Sequence, residues 1–207
     1  MPDKNMNMEV LDSVRYDVLR EVGNIGAGNA ITALSQLLNS KVDMNVPKVE
    51  LLDFKSLADV VGSAETTVAG ILLNLSGDID GMMMFMMEYS AAHHLVNRLT
   101  GKDKENMDTF TEMDLSALKE IGNIIAGAYL CALSQLTNLN IMESIPYMAI
   151  DMAGAVLSVP AIAFGQVGDK ALLIESEFNQ IDNSVGGFFI LIPTEESYGK
   201  ILSSLGM

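Results

Sequence analysis

Basic residues are scarce: 12 lysines and arginines stand against 27 aspartates and glutamates, a net charge of −15. That balance argues against nucleic acid and anionic membrane as partners, since both recruit basic patches. It suits general solubility or a partner that carries positive groups. There is a single cysteine, Cys131, so no disulfide can close within the chain, which fits a reducing cytoplasm. Cys131 falls in an apolar helical pattern with no histidine nearby, which gives no support for a Cys/His nucleophile. The only histidines, His93 and His94, are adjacent; on a helix they point about 100° apart, and no cysteine or carboxylate cluster surrounds them. They read as a surface pair, and no bound metal or other cofactor is expected. The N-terminus, with Asp3, Lys4 and Glu9, lacks the apolar segment of a signal peptide. The apolar stretch from Ile145 to Phe164 is broken by Pro146, Asp151 and Pro160; its β-branched and small residues suggest strands rather than a membrane span.

Hydrophobic residues make up 49% of the 207 positions, enough for a substantial core. The chain also repeats itself. Glu21-Val-Gly-Asn24-Ile-Gly-Ala-Gly28 and the eleven residues after it recur 99 positions later, from Glu120-Ile-Gly-Asn123-Ile-Ile-Ala-Gly127 onward, with twelve of nineteen positions identical. The same offset carries Pro47 onto Pro146. In the first copy Leu19, Val22, Gly26, Ala30, Ala33 and Leu37 form one helical stripe, within a helix of about 11–38. Leu118, Ile121, Ile125, Tyr129, Ala132 and Leu136 form its counterpart. An extended run containing the shared proline follows each helix, at 44–53 and 141–152; a proline in a strand belongs at its start or on an edge. Strands are expected at 68–76 and 82–88, joined by Gly77-Asp-Ile-Asp-Gly81, at 159–166 and 170–178, and at 185–193. Helices at 90–99 and 195–205 close the halves. The methionine-rich 82–87 run suits an adaptable surface or a strand buried on both faces, and the second reading is preferred. The expected fold is α/β of the α+β type: one domain over 1–207, with a repeat at 11–100, a polar connector at 101–111 and a second repeat at 112–207. The halves are expected to be related by a pseudo-two-fold axis, with a mainly antiparallel sheet.

Residues three and four apart share a helix face. Asp17, Glu21, Asn24 and Gly28 therefore form one polar stripe, and Ser116, Glu120, Asn123 and Gly127 another, each roughly opposite its apolar stripe. A solvated face is one reading; the recurrence of the same residue types at the same places favours a partner-binding one. Glycine inside a helix costs about 1 kcal/mol relative to alanine, so its presence asks for a reason. Close packing suits Gly23, Gly26 and Gly122; close approach of a partner suits Gly28 and Gly127. A phosphate loop does not fit, because no strand precedes Gly23, the glycine order is wrong, and no Gly-Lys-Ser/Thr follows. What is left is a carboxylate and a carboxamide on a rigid face. An amide accepts a hydrogen bond from water through its oxygen and donates one to a phosphoryl oxygen, so it can hold water in line for attack without being a base, which suits phosphoryl transfer.

The pattern Asp/Ser-x3-Glu-x2-Asn-x22-Pro, met at Asp17, Glu21, Asn24, Pro47 and again at Ser116, Glu120, Asn123, Pro146, resembles the signature of the CheC family of chemotaxis phosphatases. CheX-like relatives carry one such motif per chain, and FliY adds a switch domain after this one; a chain ending at Met207 looks like the stand-alone form. The resemblance implies hydrolysis of the aspartyl-phosphate of the response regulator CheY, a protein phosphatase activity in signal transduction. Asn24 and Asn123 would position water, and Glu21 and Glu120 would dock a lysine of the regulator. The Mg²⁺ would belong to the regulator. It also implies the deamidase CheD as a partner, for which Asp151, a carboxylate in an apolar run, is the candidate contact. Asp17, Gly28, Ser116 and Gly127 would line the partner surfaces of a cytoplasmic monomer. A non-catalytic adaptor for CheY-phosphate or CheD is the alternative, and a flagellar switch component a third; a scaffold has no need of the asparagines.

Overall fold

The computed structural model describes residues 13–39, 41, 43–53, 56–57, 63–102, 109–164, 170–180 and 183–206. Helix α1, Ser13–Leu37, leads into strand β1, Asp43–Asp53. A hairpin follows, β2 (Thr67–Gly77) and β3 (Gly81–Glu88), and then α2, Tyr89–Thr100. The second long helix, α3, spans Glu112–Thr137; β4 (Ile141–Glu143), β5 (Tyr147–Met152) and α4 (Ala153–Phe164) come next. Strands β6 (Lys170–Gln180) and β7 (Asn183–Pro193) and helix α5 (Glu195–Ser204) complete the order. Asn39 and Asn138, at the ends of α1 and α3, both hold left-handed backbone (φ 45° and 56°). Asparagine tolerates that conformation, and it turns the chain out of each helix.

All seven strands among the described residues join one antiparallel sheet in the order β1–β6–β7–β3–β2–β4, with β5 also on β2. Phe85 of β3 lies opposite Phe189 of β7 at its centre. Ile71 is opposite Phe85 on one side and Ile174 opposite Phe189 on the other; Met148 then pairs Ile71, and Val49 pairs Ile174. The pairing reads alike outward in both directions from the central phenylalanines. Each edge carries a proline at an irregularity. Asn45 faces Glu177 and Lys48 faces Glu175, so two residues of β1, Pro47 among them, oppose one of β6. On the other edge the Ser144 N–H donates to the Asn74 carbonyl (2.9 Å) and Tyr147 faces Leu72, leaving Ile145 and Pro146 opposite one residue. The run expected at 141–152 is therefore two short strands, since proline lacks the N–H that a continuous ladder would use.

One face of the sheet carries the larger core. Leu19, Val22, Ala30 and Leu34 of α1 and Leu118, Ile121, Ile125 and Tyr129 of α3 pack there with Ile71, Leu73, Phe85 and Phe189. The other face buries Val68, Met82, Met84, Met86 and Ile190 under Val156 and Leu157 of α4. Residues 81–87 are buried throughout, as expected for a strand covered on both sides.

The strand expected at 159–166 is not formed as far as Phe164, because α4 runs through it. The even-numbered methionines of β3 need a cover, and a helix supplies one, with Pro160 inside it. Its 153–164 run is apolar all round, so period alone does not separate helix from strand. The histidine reading also needs correction. His93 is 2% exposed, not a surface residue, and stacks on Phe110 of the connector at 3.8 Å with Tyr89 edge-on. His94 is half-buried.

Helix α3 begins with a capping box whose first member, Thr111, is the last residue of the expected connector. The Thr111 hydroxyl accepts from the Asp114 N–H (3.3 Å), and the Asp114 carboxylate accepts from the Thr111 N–H (2.8 Å). Lys102 donates to both Asp114 oxygens at 2.7 Å. Burial pushes this carboxyl up, and the Lys102 ammonium with the Thr111 amide and hydroxyl more than reverses that, leaving its pKa at about 2. A lowered pKa in the folded state gives stability that is complete above the unfolded value and is lost as pH falls toward about 2. With Lys102 34% exposed the effect is discounted for solvent screening. Asp114→Asn should then cost about 1–2 kcal/mol at neutral pH. Urea unfolding should show that gap closing between pH 4 and 2, and a gap independent of pH would refute the linkage.

Candidate functional site

The two polar stripes lie where helical period puts them, away from the buried faces of α1 and α3. Asp17, Glu21, Asn24 and Gly28 are all exposed; Ser116 and Glu120 are exposed, and Asn123 and Gly127 are half-buried. Glu and Asn at three-residue spacing stand about 5–6 Å apart at their Cβ atoms. The side chains of Glu21, Asn24, Glu120 and Asn123 make no hydrogen bond or ion pair with any described residue. Each pair is thus free to meet something outside the chain. Asp17 differs: its carboxylate accepts from Arg20 at 2.8 Å, an exposed pair worth at most about 1 kcal/mol. At the second stripe Ser116 and Lys119 stand in those places, so no such pair forms there.

The glycines divide as the chemistry asks. A Cβ on Gly26 would lie 2.5 Å from Cδ1 of Tyr129, and one on Gly122 would collide with Ile71. Those two positions let α1 meet α3 and α3 meet the sheet, and Gly23 is buried as well. Gly28 has nothing within 4 Å of that point. No internal packing accounts for it.

At Gly127 the nearest atom is Oε1 of Glu143, 3.6 Å from where a Cβ would stand. Glu143 ends β4, the short strand beside the C-terminal half of α3. Burial pushes its carboxyl above the ordinary range. The sequence reading missed this residue, because the matching position in the first copy is Met44, and a comparison of the copies highlights only what they share. Asp151 is exposed on β5 and accepts from the Met152 N–H (2.7 Å). It pairs with Val68, seven residues along β2 from Leu75, which pairs with Glu143. At about 3.3 Å per residue this is roughly 23 Å, so Asp151 stands apart from the second stripe.

Cys131 is exposed on α3, contrary to its apolar context in sequence, and its sulfur accepts from Gln135 at 3.3 Å. Among the described residues no group of three or more His, Cys, Asp and Glu side chains is placed to hold a metal ion. No described helix is long and apolar enough to cross a membrane.

The model of the CheC-like family matches residues 16–51, which span the first stripe and Pro47. The model of the chemotaxis phosphatase CheX matches 69–162, which include the second. The CheY-P phosphatase CheC of Bacillus subtilis is 40% identical over 93% of this chain and 94% of its own length. The chain belongs to the CheC family. The flagellar motor switch phosphatase FliY of the same organism is 31% identical over 94% of the chain, which spans 51% of FliY. The fold of this CheC-family chain also matches the crystal structure of Thermotoga maritima FliY, with a TM-score of 0.76 at 20% identity over 95% of the chain and 98% of that structure.

Alanine at these glycines separates packing from function. Gly26→Ala should destabilise the protein by about 1–3 kcal/mol through the clash with Tyr129, whereas Gly28→Ala should stabilise it by up to about 1 kcal/mol. Urea denaturation checks both, and a destabilising Gly28→Ala would mean that Gly28 has a packing role.

Proposed function

We propose that this protein hydrolyses the aspartyl-phosphate of CheY at two sites, one on each long helix. The observation that carries the reading is the Glu and Asn pair repeated on α1 and α3, exposed but for a half-buried Asn123, with side chains that no described residue engages. The Asn24 or Asn123 amide oxygen accepts a hydrogen bond from a water, and the amide N–H donates to a phosphoryl oxygen. The water oxygen attacks phosphorus in line as the bond to the aspartyl oxygen breaks, giving free carboxylate and inorganic phosphate. Glu21 or Glu120 grips a lysine of the regulator, and the regulator brings its own Mg²⁺. Gly28 and Gly127 leave room for its surface one turn away, and Asp17 and Ser116 border it one turn before. The symmetric strand register about Phe85 and Phe189 supports one domain of two related halves. In this reading the protein acts as a cytoplasmic monomer.

A second reading concerns CheD, with or without turnover of CheY. On and around β5 and α4, Tyr147, Met152, Val159 and Ile162 are exposed apolar residues beside Asp151. Exposed apolar side chains around a carboxylate suit a protein partner, and the distance of Asp151 from Glu143 would let a second partner contact Asp151 while the site on α3 stays open. Asp151→Lys should then weaken CheD binding and leave CheY-phosphate turnover intact; calorimetry with CheD and an unchanged affinity would remove Asp151 from that contact.

The test of the first reading is Asn24→Ala combined with Asn123→Ala. Both side chains lie outside the core, so each change should cost under about 0.5 kcal/mol of stability. Loss of the group that positions water should cost about 3 kcal/mol in the transition state, roughly a hundredfold in rate. Each single variant should keep part of the activity. Glu21→Ala and Glu120→Ala should raise KM more than they lower kcat. The measurement is decay of phosphorylated CheY at saturating protein, with circular dichroism as folding control. A folded double variant at full activity would sink the mechanism, and wild-type protein that binds without speeding decay would favour an adaptor.

A further inference from the structure

The second stripe has a neighbour on another element. Gly127 lies one turn beyond Asn123, about 6 Å along the helix axis, and the Glu143 carboxylate reaches to 3.6 Å from the place its side chain would occupy. Glu143 is exposed, and partial cover on the α3 side pushes its carboxyl above the ordinary range. No lysine or arginine among the described residues pairs with it. In the first copy the corresponding residue is Met44, and the additional carboxylate there, Asp17, is already held by Arg20 at 2.8 Å. At this matching position the sequence offers a positively charged group a carboxylate in the second copy and a thioether in the first.

We infer that Glu143 is a third docking residue of the site on α3, receiving a lysine or arginine side chain of the phosphorylated regulator next to Glu120 and Asn123. This rests on the phosphatase reading above. A cation arriving there meets an exposed carboxylate that no described residue engages, close enough to Gly127 to share the partner with Glu120 and Asn123. Gly127 keeps the approach open, and Glu143 stands at its rim. Glu143 touches the partner and not the reacting atoms, so its effect falls on binding.

The experiment uses the full chain carrying Asn24→Ala, in which the site on α3 does the turnover. Adding Glu143→Gln should raise KM for phosphorylated CheY about three- to tenfold with kcat within twofold. It should also weaken, by the same factor, the affinity for CheY loaded with beryllofluoride, a readout that needs no hydrolysis. Glu65→Gln is the control for net charge. It removes one exposed carboxylate ahead of Thr67, at the far end of β2 from Leu75 and Glu143, and should change neither quantity more than twofold. An unchanged KM and affinity for Glu143→Gln, or an effect matched by Glu65→Gln, would overturn the inference while leaving the phosphatase reading standing. No acceleration of decay by wild-type protein would instead defeat that reading, and the beryllofluoride affinities would still decide whether Glu143 docks the regulator.

Discussion

Tyr129 fits where it does because residue 26 has no side chain. Its ring lies against the backbone of α1 at Gly26 and, stacked at 4.2 Å, on Phe189 of the sheet. Phe189 in turn faces Phe85 at the centre of the pairing. One aromatic residue, 2% exposed, thus ties the two long helices to each other and to the middle of the sheet. Packed interiors transmit small displacements, so the rotation of each helix about its axis, and with it the direction of each polar stripe, depends on this contact. The glycines at 26 and 122 cost helix propensity and return a close approach that no larger residue would allow.

Where period and repetition carried information, the sequence was legible. Both long helices, the β2–β3 hairpin, the buried methionine strand and the β7 strand follow from alternation or from 3.6-residue stripes, and the structure has them within a few residues. The polar stripes could be read because the same side chains recur in two copies. What failed has identifiable causes. The 153–164 run is apolar on every side and contains a proline, so its helix is decided by the sheet face it covers. His93 is polar in sequence but buried against Phe110, a contact made by chain distant from it. Cys131 sits among apolar residues yet points outward. Glu143 joins the α3 stripe from another element, and no pattern along α3 announces it.

The stripes occupy the interiors of helices of 25 and 26 residues. Mid-helix amides are already hydrogen-bonded to carbonyls one turn back, so the backbone offers an anion nothing there, in contrast to a helix N-terminus. The motif itself holds no cation. What the stripes contribute is position: a carboxylate and an amide held on a stiff element.

The irregularities at Pro47 and Pro146 have a bearing on solubility and on the manner of recognition. A regular outer strand offers an open row of hydrogen-bonding groups to which another chain can zip, in aggregation or in strand-addition binding. Here both margins of the sheet are interrupted near their middles by an imino acid and an extra residue. Neither margin is a continuous template, so self-association through backbone pairing is discouraged on both sides at once. Recognition of this chain is thereby left to side chains on helices and strand faces, where a partner can be told from its near relatives.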